Sequence, residues 1–498
     1  MSSNHDCLDT KATIIIFGAT GDLTRRKLMP ALYNLIHEGL VCEDFSIVCV
    51  GRREKTTNEF RDDVYKALSE HSRNQIDDDN WNKIKKLISY IKFDLNDRQG
   101  YIKLKEALEN IEKSKGVNAN RIFYLAVAPE NFGTIVENLA LSGLAKGERG
   151  FKRLVIEKPF GKDLSTARAL NKKLLEVFNE NEIYRIDHYL GKDMIQNIMV
   201  LRFCNQIFNS LWSNKYIDNV QISLLEQNGV GTRGRYYENS GAMRDMVQNH
   251  IVQILSMVAM EPPGDLKTEF IRNEKLKVIN SIESLSLENL KNNVVIGQYG
   301  RGDISNKDVI GYKEEDDVSK NSKTETFVAL KLNINNFRWA GTPFYIRTGK
   351  RLGETSAQIV IEFKRLPDIL YFKDTYVQEP NLLVIKIQPN VGVFFQFNTK
   401  DFKAKNDIVS MKMDTSYNSK GLGNTPEAYE RLILDIIKND SALFSRWDEV
   451  ELSWRFADKI IDFMDGEDYD FPNYRAGSYG PIKAMELLEK DNRKWWNI

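Results

Sequence analysis

The sequence predicts two architectures in one chain: an α/β domain with a doubly wound parallel sheet, then a larger α+β domain with a mostly antiparallel sheet. Three observations carry that expectation. Apolar, β-branched runs alternate with helical stretches over residues 1–190, and strand–helix alternation builds parallel sheets. Over residues 191–498, strand candidates follow one another without intervening helices, the pattern of an antiparallel sheet. The chain has 498 residues, 42% hydrophobic and 28% charged, enough to bury more than one core.

Thr13-Ile-Ile-Ile-Phe17 is continuous and β-branched, as in a parallel strand buried on both faces. It runs into Gly18-Ala-Thr-Gly21-Asp-Leu23 and then a helical stripe, Leu28, Leu32, Leu35 and Ile36, which Pro30 is expected to split after a short first turn. Ser46–Val50 is a second strand; helices are expected over Glu59–His71 and Trp81–Ile88, with an acidic loop over Gln75–Asn82. Strands at Tyr90–Leu95, Arg121–Val127, Arg153–Glu157 and Ile183–Ile186 alternate with helices at Gly100–Lys113, Asn131–Ser142 and Asp163–Phe178.

The second domain opens with a helix over Asp193–Leu211 and a strand at Val220–Leu225. A long helix, Gly241–Met260, carries Met243, Met246, Val247, Ile251, Ile254, Leu255 and Val258 near period 3.6. Strand candidates follow at Val294–Tyr299, Thr324–Asn333, Phe344–Thr348, Ala357–Phe363, Leu382–Gln388 and Val391–Asn398. Gly302–Lys323 reads as a surface loop, and helices return at Pro426–Lys438, Ser445–Phe463 and Pro481–Lys490.

Composition excludes several classes of function. Lys+Arg and Asp+Glu both total 70, and no basic block occurs, so a nucleic-acid partner is not expected. No apolar run approaches the ~20 residues that span a bilayer, so no membrane association is expected. The N-terminal Met-Ser-Ser-Asn-His-Asp lacks the features of a signal peptide, and the expected location is cytoplasmic. Cys7, Cys42, Cys49 and Cys204 are too scattered for a disulfide framework or a zinc site.

The motifs point to dinucleotide chemistry. Gly18-x-x-Gly21 lies where a first strand meets a helix, where glycines admit a pyrophosphate close to the backbone; a purely structural tight turn would look the same. At the end of the second strand stands Gly51-Arg52-Arg53, where NAD-binding domains place an acidic residue for the ribose 2′-hydroxyl. Two guanidinium groups suit a 2′-phosphate, hence NADP+, unless they are merely solvated. Lys158-Pro159 follows a buried strand at the sheet edge that binds ligands, where Lys158 either reaches cofactor and substrate or pairs with Glu157.

Of five histidines, His5, His37 and His71 lie in a tail or on charged helix surfaces. His188 sits in Arg185-Ile-Asp-His-Tyr-Leu-Gly-Lys192, at the junction of the two halves. His250 is on the apolar helix near Asp245 and Asn249, where a lone histidine is more often a core residue than a catalyst. No H-x-x-x-H or H-E-x-x-H spacing occurs, and no metal is expected.

Taken in order, these segments resemble the glucose-6-phosphate dehydrogenase family. The resemblance rests on Arg185-Ile-Asp-His-Tyr-Leu-Gly-Lys192 together with Gly18–Leu23, Glu157-Lys-Pro-Phe-Gly161, Arg244-Asp-Met-Val-Gln-Asn-His250, Tyr345–Lys350, Ala428–Asp435 and Tyr474–Pro481, from about Ala12 onward. It implies a Rossmann-like NADP-binding domain over residues 1–190 and a substrate-binding and oligomerisation domain over 191–498. It further implies oxidation of D-glucose 6-phosphate at C1 by NADP+, in a homodimer or homotetramer. By resemblance, His250 is the general base, Asp187 orients it, and Lys158 sits between sugar and nicotinamide. His188, Tyr189 and Lys192 would hold the sugar phosphate; Glu226, Asp245 and Lys350 would contact the rest of the substrate. Gly18, Thr20, Gly21, Asp22, Leu23, Arg52 and Lys158 would bind the cofactor.

The sequence departs from the family at three positions. Thr355 stands where many members carry a second basic residue. Ser356 and Lys386 replace a lysine and an arginine of the distant structural NADP+ site of animal members, so that second site is not expected. The glucose–fructose oxidoreductase group also pairs a dinucleotide domain and a Glu-Lys-Pro segment with an antiparallel sheet. Its members are usually shorter and lack the Arg-Ile-Asp-His-Tyr-Leu-Gly-Lys segment.

Overall fold

A computed structural model of the chain describes residues 11–41, 44–147, 150–284, 286–367, 379–401, 408–416 and 426–498; His5, Cys7 and Cys42 lie outside them. The chain forms two compact units, one of Met1–Gly191, Asp265–Arg272 and Asn424–Glu451, the other of Lys192–Gly264, Asn273–Gly423 and Leu452–Ile498.

The first unit is built on six parallel strands, β1 (Thr13–Phe17), β2 (Ser46–Gly51), β3 (Ile88–Lys92), β4 (Arg121–Leu125), β5 (Lys152–Ile156) and β6 (Ile183–Arg185). Their order, β3-β2-β1-β4-β5-β6, is Rossmann-like and doubly wound. The order reverses beside β1, whose Phe17 pairs with Val50 of β2 and Leu125 of β4. Strands β1, β4 and β5 are buried along their whole length, which explains the apolar runs Ile14–Phe17, Ile122–Leu125 and Leu154–Ile156, whereas edge strand β3 alternates.

Local chemistry shifts some expected boundaries. The helical stripe divides just before Pro30, as expected: a π-helical turn, Thr24–Leu28, leads into the α-helix Met29–His37, whose first turn tolerates a residue without an N–H. The helix expected over Trp81–Ile88 occupies Asp78–Leu87, starting inside the expected acidic loop, because the Asp77 side chain caps it by accepting from the Asn80 N–H at 2.8 Å. That helix runs straight into β3, which therefore begins two residues earlier than expected.

Two late segments also pack in the first unit, so a single cut near residue 190 does not divide the chain. On the helix Ala428–Lys438, Leu432, Ile433, Ile436 and Ile437 join the core that contains Leu32 and Tyr184. The buried Glu430 carboxylate takes two hydrogen bonds from Arg73 (2.8 and 2.7 Å) and one from Asn34 (3.0 Å). Arg153 donates to the terminal carbonyls of Ile436 (2.6 Å) and Ile437 (3.0 Å), closing the other end of the helix.

The second unit holds β7 (Ile217–Leu225), β8 (Val294–Gly297), β9 (Tyr299–Gly300), β10 (Gly302–Ile304), β11 (Lys307–Val309), β12 (Phe327–Leu332), β13 (Phe344–Gly349), β14 (Ser356–Phe363), β15 (Leu382–Gln388), β16 (Gly392–Lys400), β17 (Ile408–Ser416) and β18 (Tyr474–Arg475). Eight of them form one sheet in the order β17-β16-β15-β14-β7-β13-β12-β8. Only β7 and β13 pair in parallel; the other pairings are antiparallel, as expected. Strands β10 and β11 form a hairpin within the expected surface loop, and β9 pairs with β18.

The expected helix Asp193–Leu211 is two helices, Asp193–Phe203 and Gln206–Leu211. Between them the Asn205 side chain bonds the Val200 and Leu201 carbonyls, both at 3.2 Å, and so replaces the next helical turn. The long helix likewise changes character: Met243–Ile251 winds as a π-helix before the α-helix Val252–Ala259. No helix among the described residues is long and apolar enough to cross a membrane.

Candidate active site

In the first unit, the Gly18–Gly21 turn is tied to both neighbouring strands. The Gly18 and Ala19 N–H groups donate to Val50 O (3.1 and 3.0 Å), and the Gly21 N–H and Thr24 hydroxyl donate to Gly18 O (2.9 and 3.0 Å). Gly18 has φ +92°, and a Cβ there would lie 2.1 Å from the Ala126 carbonyl oxygen, so only glycine holds this turn against β4. Asp22 is exposed, and Thr20 and Leu23 are half-buried around the turn.

Beside the turn lies a cleft of about 310 Å³ whose lining includes Thr20, Arg25, Arg53, Lys55 and Lys66. Arg53, rather than its neighbour Arg52, lines this cleft; both side chains are exposed at the end of β2. Arg53's backbone is held where its carbonyl accepts from the Tyr90 hydroxyl at 2.8 Å. Asp63 and Glu70 share the lining and pair with Lys55 (2.7 Å) and with Arg25, so Arg53 and Lys66 leave the cleft the positive charge that suits a phosphate-bearing ligand. These residues fit a bound NADP+.

The C-terminal end of β5 leads to Glu157 and Lys158, both partly buried. The Glu157 carboxylate accepts from the Tyr124 hydroxyl at 2.6 Å and from the Tyr429 hydroxyl at 3.2 Å. Burial pushes its pKa up to about 7, against the pull of those two hydrogen bonds. Past β6, Asp187 is buried, and its carboxylate accepts from the Tyr189 N–H at 2.9 Å. The His188 and Tyr189 rings stand 4.9 Å apart.

In the second unit, Glu226 follows β7 and Lys350 follows β13. Main-chain bonds pin the two strand ends together: Glu226 N–H to Gly349 O at 2.9 Å and Leu352 N–H to Glu226 O at 3.0 Å. The Lys350 ammonium pairs with the Glu226 carboxylate and stands 5.2 Å from the Tyr237 ring centre. The buried Asp245 accepts from the Tyr236 hydroxyl at 3.1 Å. Asp245 and His250 share the π-helical stretch, where His250 is fully buried. Lys192 begins the helix Asp193–Phe203 and donates to the Gln388 side chain. Thr355 is exposed, and its hydroxyl accepts from the Gln227 N–H at 3.1 Å.

The π-helical stretch is anchored by a group that no sequence motif marks. The buried Glu325 carboxylate accepts from the Met243 N–H at 2.9 Å, close to Gly241, which has φ +65° and whose added Cβ would sit 2.3 Å from it. Burial pushes this carboxyl up to about 7 from the ordinary 4.5. The folded chain therefore holds the proton more tightly than the unfolded chain, and the group's contribution to stability is lost as pH rises toward 7. Relative to Glu325→Gln, the parent protein is expected to lose about 2–3 kcal/mol of stability between pH 5 and pH 8. Denaturant unfolding of both proteins at those pH values checks this; a constant difference would show that the carboxyl titrates normally.

Sequence reasoning missed Tyr124, Tyr236, Tyr237, Glu325 and Tyr429. Tyr429 alone carried a signal, since it lies in the Ala428–Asp435 segment. The others bond partners across sheet or helix that spacing does not reveal.

A glycine turn at the order reversal of a parallel sheet, beside a cleft lined by Arg53 and Lys66, in a chain whose second unit carries a buried imidazole and carboxylate on one helical stretch, is the arrangement of a dinucleotide-dependent oxidoreductase. Residues 15–197 match the model of the glucose-6-phosphate dehydrogenase NAD binding domain, and residues 199–496 that of its C-terminal domain. The chain belongs to the glucose-6-phosphate dehydrogenase family. Glucose-6-phosphate 1-dehydrogenase of Bacillus subtilis (strain 168) is 47% identical over 488 residues, 98% of this chain and 99% of that one. Its counterpart in Chlamydia pneumoniae is 44% identical over 492 residues, 97% and 95% of the two chains. Among solved structures, a glucose-6-phosphate dehydrogenase in complex with its substrate glucose-6-phosphate matches with a TM-score of 0.90 at 33% identity, over 98% of this chain and 99% of that one. The Mycobacterium avium enzyme matches with a TM-score of 0.82 at 32% identity, with the same coverage. The chain is an NADP+-dependent oxidoreductase that oxidises D-glucose 6-phosphate at C1 to 6-phospho-D-glucono-1,5-lactone, the first oxidative step of the pentose phosphate pathway.

Proposed function

We propose that His250 removes the C1 hydroxyl proton of glucose 6-phosphate while Lys158, at the end of β5, aligns the sugar with the nicotinamide. Bound NADP+ supplies the hydride acceptor; the remaining work falls to side chains. Hydride leaves C1 readily only as the hydroxyl proton departs, and a neutral imidazole accepts that proton near pH 7. Asp187 would orient the imidazole and stabilise the imidazolium. Glu226 and Asp245 would accept from sugar hydroxyls, with Lys350 beside them, and His188, Tyr189 and Lys192 would hold the 6-phosphate. Gly18, Thr20, Gly21, Asp22 and Leu23 would receive the cofactor's pyrophosphate, and Arg52 its 2′-phosphate.

The observation that carries this reading is the setting of His250: fully buried in an irregular helix that also carries the buried Asp245, itself held by the Tyr236 hydroxyl. On the same reading, the unit built mainly from residues 1–190 binds NADP+, and the unit built mainly from 191–498 serves substrate binding and oligomerisation. The large sheet of the second unit would pair two copies in a homodimer or homotetramer. We further infer a cytoplasmic enzyme with no nucleic-acid or membrane partner.

The phosphate assignment has its own test. Lys192→Ala is expected to raise the KM for glucose 6-phosphate about tenfold or more, the cost of one charge-assisted contact, with little change in the KM for NADP+. Free glucose, without the phosphate, should be a poor substrate of the parent and lose little more in the variant. Equal damage to both sugars would place Lys192 in the chemistry rather than on the phosphate.

A further inference from the structure

Glu157 and the two tyrosines that grip it are the part of the first unit that the reaction, as assigned above, does not use. Tyr124 reaches Glu157 from β4, the neighbouring strand, and Tyr429 from the helix Ala428–Lys438, 272 residues further along the chain. Both hydroxyls donate to the same carboxylate oxygen, Oε1, at 2.6 and 3.2 Å. The residue they hold is the last before Lys158. Two donors from separate elements on one acceptor fix where the β5 strand end points, more tightly than packing of a half-exposed lysine alone.

We propose that the Glu157 carboxylate, clamped by the Tyr124 and Tyr429 hydroxyls, is a positioning residue that aims Lys158 and supplies its counter-charge. The proposal rests on the reading of Lys158 given above. In its charged form Glu157 accepts both hydroxyl hydrogen bonds and attracts the Lys158 ammonium, while the Asp187 carboxylate opposes its charge. Protonating Glu157 weakens Oε1 as the acceptor the two hydroxyls share, and removes the counter-charge from Lys158. Burial brings this protonation close to pH 7, with the tyrosines pulling the other way, Tyr124 more strongly than Tyr429. Activity supported by the clamp is therefore present above about pH 7 and lost as pH falls through it.

The test is the pH profile of kcat/KM for glucose 6-phosphate in the parent, Tyr124→Phe, Tyr429→Phe, Glu157→Gln, Lys158→Ala and the Glu157→Gln/Lys158→Ala double variant. Each Phe variant removes one oxygen and one hydrogen bond to the charged carboxylate, so its acid limb should move to higher pH, further for Tyr124→Phe. At pH 8 Tyr429→Phe should lose no more than roughly fivefold, while the loss at pH 6 should be several-fold larger. Glu157→Gln should lose roughly tenfold at pH 8, and in the Lys158→Ala background the same change should cost less than about twofold. A uniform loss at every pH in the Phe variants, or a full Glu157→Gln penalty without Lys158, overturns the proposal. Lys158→Ala with parental kcat/KM would instead defeat the reading of Lys158 itself, and the two failures are thereby told apart.

Discussion

His250→Asn lowers kcat by roughly 10²–10⁴-fold, the usual contribution of a positioned base, while the KM for glucose 6-phosphate moves much less. Expelling hydride from a neutral alcohol leaves a protonated carbonyl, so the C1 hydroxyl proton has to leave in the same transition state. The side chain that takes it stabilises that state far more than the bound substrate, which is why the loss falls on kcat. His250 is fully buried, on the helical stretch that Glu325 anchors through the Met243 N–H. Asn matches the shape of the imidazole in part but cannot accept the proton. Asp187→Asn should show a smaller loss, and the double variant should be less than additive, because base and orienting group act as one unit. Stopped-flow and steady-state rates on the folded variants check this. A folded His250→Asn enzyme that keeps more than about a tenth of parental kcat would return His250 to the role of a core residue.

The second large effect concerns the cofactor. Arg52→Ala is expected to raise the KM for NADP+ by roughly 10- to 150-fold, the range for losing one charge-assisted contact, and to erode the preference over NAD+. The end of β2 presents Gly51, Arg52 and Arg53 where an acidic residue would repel a 2′-phosphate. Arg53 lines the adjacent cleft with Lys55, Lys66 and Arg25, so some affinity should survive the loss of Arg52. Initial rates with both cofactors, on Arg52→Ala and Arg53→Ala in parallel, check the assignment. An Arg52→Ala enzyme with an unchanged NADP+ KM would move the phosphate contact to Arg53.

What could be read from sequence was local chemistry. Thr13–Phe17 announced a buried parallel strand, which the structure has, and the glycines at 18 and 21 announced a tight turn, at which Gly18 is pressed against the Ala126 carbonyl. The antiparallel sheet was legible because β14 and β15 are buried apolar runs. Strand β17 was not: it lies at the sheet edge with Lys412 and Asp414 in its run and Met411 and Met413 exposed, so nothing in its composition sets it apart from loop. The π-helical winding of Met243–Ile251 kept the apolar spacing of an ordinary helix and left no trace in the pattern. The helix Ala428–Lys438 joined the first unit through Arg73, Asn34 and Arg153, contacts separated by hundreds of residues. The same holds for the candidate site: Asp187, Lys158 and His250 were singled out through segments shared with the family, whereas the tyrosines on Glu157 and the Glu325 anchor depend on pairings across the fold.

The most direct test is the initial rate of cofactor reduction, followed by absorbance, with glucose 6-phosphate and with free glucose, each at matched NADP+ and NAD+ concentrations. Rapid reduction of NADP+ with glucose 6-phosphate is expected, with a lower kcat/KM for NAD+ and little rate with glucose. An enzyme that favours NAD+ outright, or oxidises glucose as well as its 6-phosphate, would contradict the roles given to Arg52 and to His188, Tyr189 and Lys192.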